Sequence, residues 1–369
     1  MKLIKVITIA LLLVTFITCN STDDSFYFNG EIKQIQDKVK NEINVQLIPV
    51  PLNGANYGYF TVYDSFIFFM NPKLPDHFFN VFNVDTGEEI GSYHNKGQGP
   101  SEYTALSPIY QFFKEEDETT ALLFAPHQNK LINWNITKTF ADPNKLQDSI
   151  ITYTWQEQNN GAIYQSIYQL RKNILLMYVN HGNYSPGERY LPFYQTRTIS
   201  SNKQIKDYLI YKEAIQNADE YSDPAYLFTN NDALKPDGTK IVQVMTYIPQ
   251  VNFLDLATGE VVGYRMKGRH SFSAFENQDK TIKMYYGAAE ADDNYIYATY
   301  LGGKAWKEKE IPTINTIHVF DWNGNLVQKI ATDKNIHMLR LDRVRKRLYT
   351  MDRTTDEVFY FDLDDILGS

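Results

Sequence analysis

The strongest constraint on the fold is a hairpin that occurs twice. Thr86-Gly87-Glu88-Glu89-Ile90-Gly91-Ser92-Tyr93 returns as Thr258-Gly259-Glu260-Val261-Val262-Gly263-Tyr264, and Lys96-Gly97 is answered at nearly the same offset by Lys267-Gly268. Each copy follows an alternating apolar run, 79–85 and 251–255, and such a run followed by a Gly turn and a second apolar run signals a β-hairpin. Weaker copies stand at Trp134-Asn135-Ile136-Thr137, Ser200-Ser201-Asn202-Lys203, Asp321-Trp322-Asn323-Gly324-Asn325 and Asp362-Leu363-Asp364-Asp365. Turns recurring roughly every 60 residues between short strands predict propeller blades sooner than solenoid turns. The long offset alone would also allow two β-sandwiches; the intermediate turns favour an all-β, six-bladed β-propeller with four-stranded blades.

Within a unit, a pair of strands precedes the turn. The clearest is 347–352 and 357–362 around Arg353-Thr354-Thr355-Asp356; others are 66–70 with 78–84, 121–125 with 130–134, and 295–300 with 316–321. These read as second and third strands, with the repeated turns leading to the fourth. After Asp362 the chain is too short for another strand of normal length. An N-terminal segment such as Asn44-Val45-Gln46-Leu47-Ile48-Pro49-Val50 is expected to supply it and close the ring, removing an exposed edge. Two stretches, 208–219 and 304–313, read as surface insertions.

The chain has one cysteine, Cys19, behind the basic Lys2 and Lys5 and an apolar run over 7–17 that is too short for an ordinary membrane span. This leader resembles a bacterial lipoprotein signal peptide, with Phe16 where Leu is usual and Thr18 where Gly or Ala is usual. The resemblance implies cleavage before Cys19 and acylation of its thiol and new N-terminus, which anchors firmly. The expected organisation is a signal peptide over 1–18, a lipid-anchored tether over 19–30 and a propeller over 31–369. Asn20-Ser21-Thr22-Asp23-Asp24-Ser25 reads as a solvated linker and resembles the acidic export signal of Bacteroidetes surface lipoproteins, implying an outer-membrane and surface-exposed address. With Cys19 lipidated no disulfide remains, so stability must come from packing, for which 27 Tyr and 22 Phe provide material. A net charge of −8 without a basic stripe argues against nucleic acid as a partner.

The segment Gly97-Gln98-Gly99-Pro100-Ser101-Glu102-Tyr103 is similar to the Gly-x-Gly-Pro-x-Glu-aromatic signature of the TolB-like six-bladed propeller lipoproteins of Bacteroidetes. That resemblance implies fold and location more than chemistry. Physically the segment reads as a tight link between blades, because Gly97 and Gly99 permit positive φ and Pro100 fixes the exit. In a four-stranded blade, links between blades and turns between second and third strands share one face of the ring. Lys96, Gln98, Glu102, Tyr103, His127, His181, Arg269, His270 and Asp352 fall there and form the candidate ligand face.

Catalytic motifs are weak. His127 and His181 lack a close-spaced cluster of further metal ligands, the Asp321 loop lacks the later Glu of a calcium loop, and no Gly-x-Ser-x-Gly elbow occurs. The reading is a cell-envelope binding or interaction platform with no cofactor and no inferred catalysis, its partners the membrane and possible envelope proteins or glycans. Alternatives are a metal-dependent propeller hydrolase or lactonase, with Asp64, Asn71, Asn180 and Asp352 as potential ligands, and a glycan-binding accessory stacking sugars on Tyr103, Phe272 and Tyr300.

Overall fold

The computed structural model describes residues 24–53, 58–142, 146, 149–154, 162–181, 191–212, 228–268, 270, 272, 283–305 and 313–367. Cys19 with its leader, Arg269, and most of the two expected insertions lie outside them.

Six sheets surround a common axis, each built on antiparallel strands from one stretch of chain. Blade 1 spans 59–95, blade 2 111–154, blade 3 162–208, blade 4 230–265, blade 5 283–332 and blade 6 336–362. Within each, the first strand is innermost and hairpins carry the chain outward. The protein is a six-bladed β-propeller, as the repeat predicts.

The repeated turn has a common side-chain cause. Asn83 Oδ1 accepts the Asp85 and Thr86 amides at 2.9 and 3.0 Å, and Asp255 Oδ1 accepts those of Ala257 and Thr258 at 3.0 and 2.9 Å. Gly87 and Gly259 follow at φ 72° and 84°, a left-handed conformation that glycine adopts without strain. Blade 2 departs from the pattern. Instead of a tight turn at Asn135, that side chain caps a short helix, Ile136–Ala141, by accepting the Lys138 amide at 2.9 Å.

Closure is achieved by three N-terminal strands. β3 (Ile48–Pro49) pairs antiparallel with Tyr360 and Phe359 and completes blade 6. The expected closing segment is divided, however: Asn44 and Val45 belong to β2 (Ile43–Val45), which runs parallel to the outermost strand of blade 5. β1 (Glu31–Gln34) lies parallel to the outermost strand of blade 4. The chain therefore straps three successive blades.

The strap begins earlier than the tether expected over 19–30 allows. Asp24–Tyr27 forms a helical turn, and Tyr27 and Phe28 are buried in the cluster between blades 3 and 4 with Tyr211, Phe228 and Phe272. Two adjoining aromatics can bury more apolar surface than a solvated linker would, which overcomes the polar character of residues 20–25. A comparable aromatic layer fills the seam between blades 1 and 2, around Trp134.

Candidate functional site

Among the described residues, the candidate ligand face is divided between the link that follows blade 1 and residues across the ring. Lys96 Nζ is turned back onto the carbonyls of Asn71, Pro72 and Leu74. Glu102 Oε2 accepts the Gly99 amide at 2.8 Å, and the backbone pairs Gly97 N with Tyr103 O at 3.0 Å, so the Gly-x-Gly-Pro link is a self-braced loop. A side chain at Gly97 would start 1.9 Å from that carboxylate. Tyr103 is buried beside His94. His127 meets this loop through Thr104 at 3.3 Å, and Gln98 stays exposed. His270 lies across the ring against Tyr285, and Asp352 caps its own turn by accepting the Thr354 and Thr355 amides at 2.7 and 3.2 Å. His181 ends the second strand of blade 3.

The aromatics considered for sugar stacking are also engaged. Phe272 is buried, and Tyr300 stacks on His318 at 3.9 Å. Among the described residues, no group of three or more His, Cys, Asp or Glu side chains is arranged to hold a metal ion.

Because Glu102 is part of the loop's bracing, Glu102→Ala should lower stability by roughly 1–2 kcal/mol through loss of a charge-assisted bond. Urea denaturation of the purified variant checks this; an unchanged midpoint would mean that the loop holds itself without the carboxylate.

The axis of the ring holds what the loops lack. A cavity of about 790 Å³ is lined by the innermost strands of all six blades. On its wall the Asp232 carboxylate accepts hydroxyl bonds from Ser166 at 2.7 Å, Tyr168 at 3.0 Å and Tyr194 at 2.6 Å. Burial pushes the Asp232 carboxyl up from the usual range, against the pull of those three bonds. Tyr110, on the facing strand, is pushed up to about 12, chiefly by burial.

Farther round, Glu290 of blade 5 pairs with Arg340 of blade 6 at 3.2 Å, and Arg340 Nε donates to the Phe60 carbonyl of blade 1 at 2.9 Å. Gln111 and Gln169 join blades 2 and 3, with the Gln169 amide donating to Gln111 Oε1 at 2.9 Å. The innermost strands are thus cross-linked by polar side chains while leaving a cavity between them. Arg343 is exposed at the edge of the cavity, its guanidinium held by one bond from Nε to the Ala291 carbonyl at 3.0 Å. Asn180, Asn230, Asn231, Gln165 and the Tyr59 and Tyr63 side chains complete a wall of amides and hydroxyls.

Sequence reasoning placed none of these charged groups, because it identified second and third strands by their apolar runs and left the first strands unassigned. Their signal was the opposite composition: Asn230-Asn231-Asp232 and Ala288-Ala289-Glu290 carry short or polar side chains just ahead of strongly apolar strands.

An all-β ring of six blades around a polar axial cavity defines the class of this protein. No family model and no curated protein matches the sequence. Solved structures share the fold. A member of the DUF4221 family from Bacteroides vulgatus superposes with a TM-score of 0.55 at 11% identity, over 87% of this chain and 96% of that one. A Bacteroides fragilis protein named for its expected export gives 0.52 at 11% identity, over 89% and 98%. At these identities the likeness concerns the fold alone.

Proposed function

We propose that this chain is a lipid-anchored envelope protein, of the TolB-like propeller kind, that binds an acidic saccharide in its central channel. The observation that carries the reading is the axial cavity, where amides and hydroxyls of blades 1 to 4 stand beside Glu290 of blade 5 and a cationic edge formed by Arg340 and Arg343 of blade 6. Amides and tyrosine hydroxyls match the alternating donors and acceptors of a sugar, and a guanidinium matches a carboxylate in planar, paired geometry. Arg340 is occupied by Glu290 and backbone carbonyls, whereas Arg343 acts on Glu290 only through its charge and makes no described hydrogen bond with its terminal nitrogens, which makes it the ligand-reading group.

The envelope address rests on the leader and Cys19, and the expected export of a similarly folded Bacteroides protein agrees with it. Catalysis is not part of the proposal; the Asp232 carboxylate accepts three hydroxyl bonds and Glu290 is paired with Arg340.

A thermal-shift screen of the domain from residue 20 onward, against neutral sugars, uronic acids and acidic oligosaccharides, tests the reading. Acidic saccharides should raise the melting temperature and neutral ones much less, with the shift lost in Arg343→Ala. Stabilisation of Arg343→Ala equal to that of the parent would overturn it.

A further inference from the structure

The link between the propeller and its lipid is short, and this fixes which side of the ring meets the membrane. Asp24 is fastened to the body: its carboxylate pairs with the buried Arg265 at 2.7 Å and accepts the Phe272 amide at 3.1 Å. Tyr27 and Phe28 follow, buried between blades 3 and 4. The backbone there is joined to the end of blade 3 by Asn29 N to Ile210 O at 2.9 Å and Lys212 N to Tyr27 O at 2.8 Å. Releasing Asp24–Phe28 would therefore expose core. Cys19 stands five residues before Asp24. A fully extended chain covers at most about 3.6 Å per residue, so the lipid-bearing sulfur stays within about 18 Å of Asp24.

The surface at that point suits an interface. Phe26 is 43% exposed and Leu209 is 54% exposed, both on the two segments just described. Lys212 is exposed beside them, its Nζ reaching the Ser25 carbonyl at 3.4 Å. Apolar side chains with a neighbouring cation are the composition that settles at the boundary between headgroups and acyl chains.

We propose that the rim between blades 3 and 4, carrying Phe26, Leu209 and Lys212, is the face on which the propeller rests against the lipid bilayer, held there by the short link to acylated Cys19. This rests on the anchor reading given above. The consequence is a fixed orientation: blade 4 lies next to the membrane and blade 1, half the ring away, points from it.

Lipidation consumes the native thiol, so Phe26→Cys, Leu209→Cys and Ile90→Cys each create one labelling site, the last on the outermost strand of blade 1. The lipidated proteins are labelled with an environment-sensitive fluorophore and reconstituted in phosphatidylethanolamine–phosphatidylglycerol vesicles containing nitroxide lipid. Quenching at 26 and 209 should exceed that at 90 several-fold. Vesicle-bound protein quenched equally at all three positions would overturn the orientation alone. Sedimentation with vesicles, compared with Cys19→Ser, reports the anchor separately; a Cys19→Ser protein that still sediments fully would overturn the anchor and with it this proposal.

Discussion

Deletion through Val50 is expected to abolish cooperative folding of the ring. That truncation removes β1, β2 and β3 from three blades, together with the buried Tyr27, Phe28, Ile35, Leu47 and Val50. A single buried aromatic truncated to Ala costs about 3–5 kcal/mol. A domain's whole stability is about 5–15 kcal/mol, so the strap outweighs what remains. The shorter deletion through Gly30 spares all three strands yet should still be severe, because Tyr27 and Phe28 go with it. Phe28→Ala isolates this contribution and should lose about 3–5 kcal/mol, whereas Phe26→Ala, half-exposed, should lose little. Chemical denaturation of the four proteins measures the series. A protein starting at Glu31 that unfolds at the same denaturant concentration as the parent would show that residues 24–28 add nothing to closure.

Acid should destabilise the fold well before its surface carboxylates are titrated. His94 and His318 are both almost fully buried, and burial lowers each imidazole to about 3 from the usual 6.5. His94 sits edge-on to Trp134 at 4.6 Å between Phe79 and Tyr103. His318 stacks on Tyr300 and faces Tyr286, with Lys329 adding to the depression and Asp37 opposing it. As pH falls below 6.5 the unfolded chain takes up a proton at each position and the folded chain does not until near pH 3. Stability from these two groups is therefore complete above about pH 7 and is lost progressively down to about pH 3. At pH 4.5 the loss is roughly 3 kcal/mol for each histidine. The raised carboxyls of Asp232 and Glu290 work in the other sense, so the test compares variants rather than one curve. His94→Phe fills the same aromatic pocket without a titrating group, and the difference between its pH profile and the parent's reads His94 alone. Parallel urea-midpoint profiles from pH 7 to 4.5 would refute the burial argument for that residue.

Local chemistry was legible in the sequence, and long-range packing was not. The Asn83 and Asp255 turns announce themselves because each is built by a side chain bonding to amides two and three residues on. Ile48–Pro49, within the segment expected to close the ring, pairs with the last strand of blade 6. Phe28, by contrast, gains its meaning only from Tyr211 and Phe272, far along the chain; the run Phe26-Tyr27-Phe28 follows a polar segment and reads as part of a tether. The same holds for the channel. Asp232 becomes a site residue because Ser166, Tyr168 and Tyr194 of another blade converge on it. The loop residues Lys96 and Glu102 looked functional for the reason that loops usually do, yet their charges are spent on neighbouring backbone.

If recognition occurs in the axial channel, as proposed, and not on the connecting loops, calorimetric titration with an acidic saccharide from the screen will separate the two. Three proteins are compared: the parent domain, Arg343→Ala at the channel edge, and Gln98→Ala on the exposed loop between blades 1 and 2. Binding in the channel should give one site per chain, affinity at least tenfold weaker in Arg343→Ala, and parental affinity in Gln98→Ala. Parental affinity in Arg343→Ala with weakened binding in Gln98→Ala would contradict it and return the site to the loops.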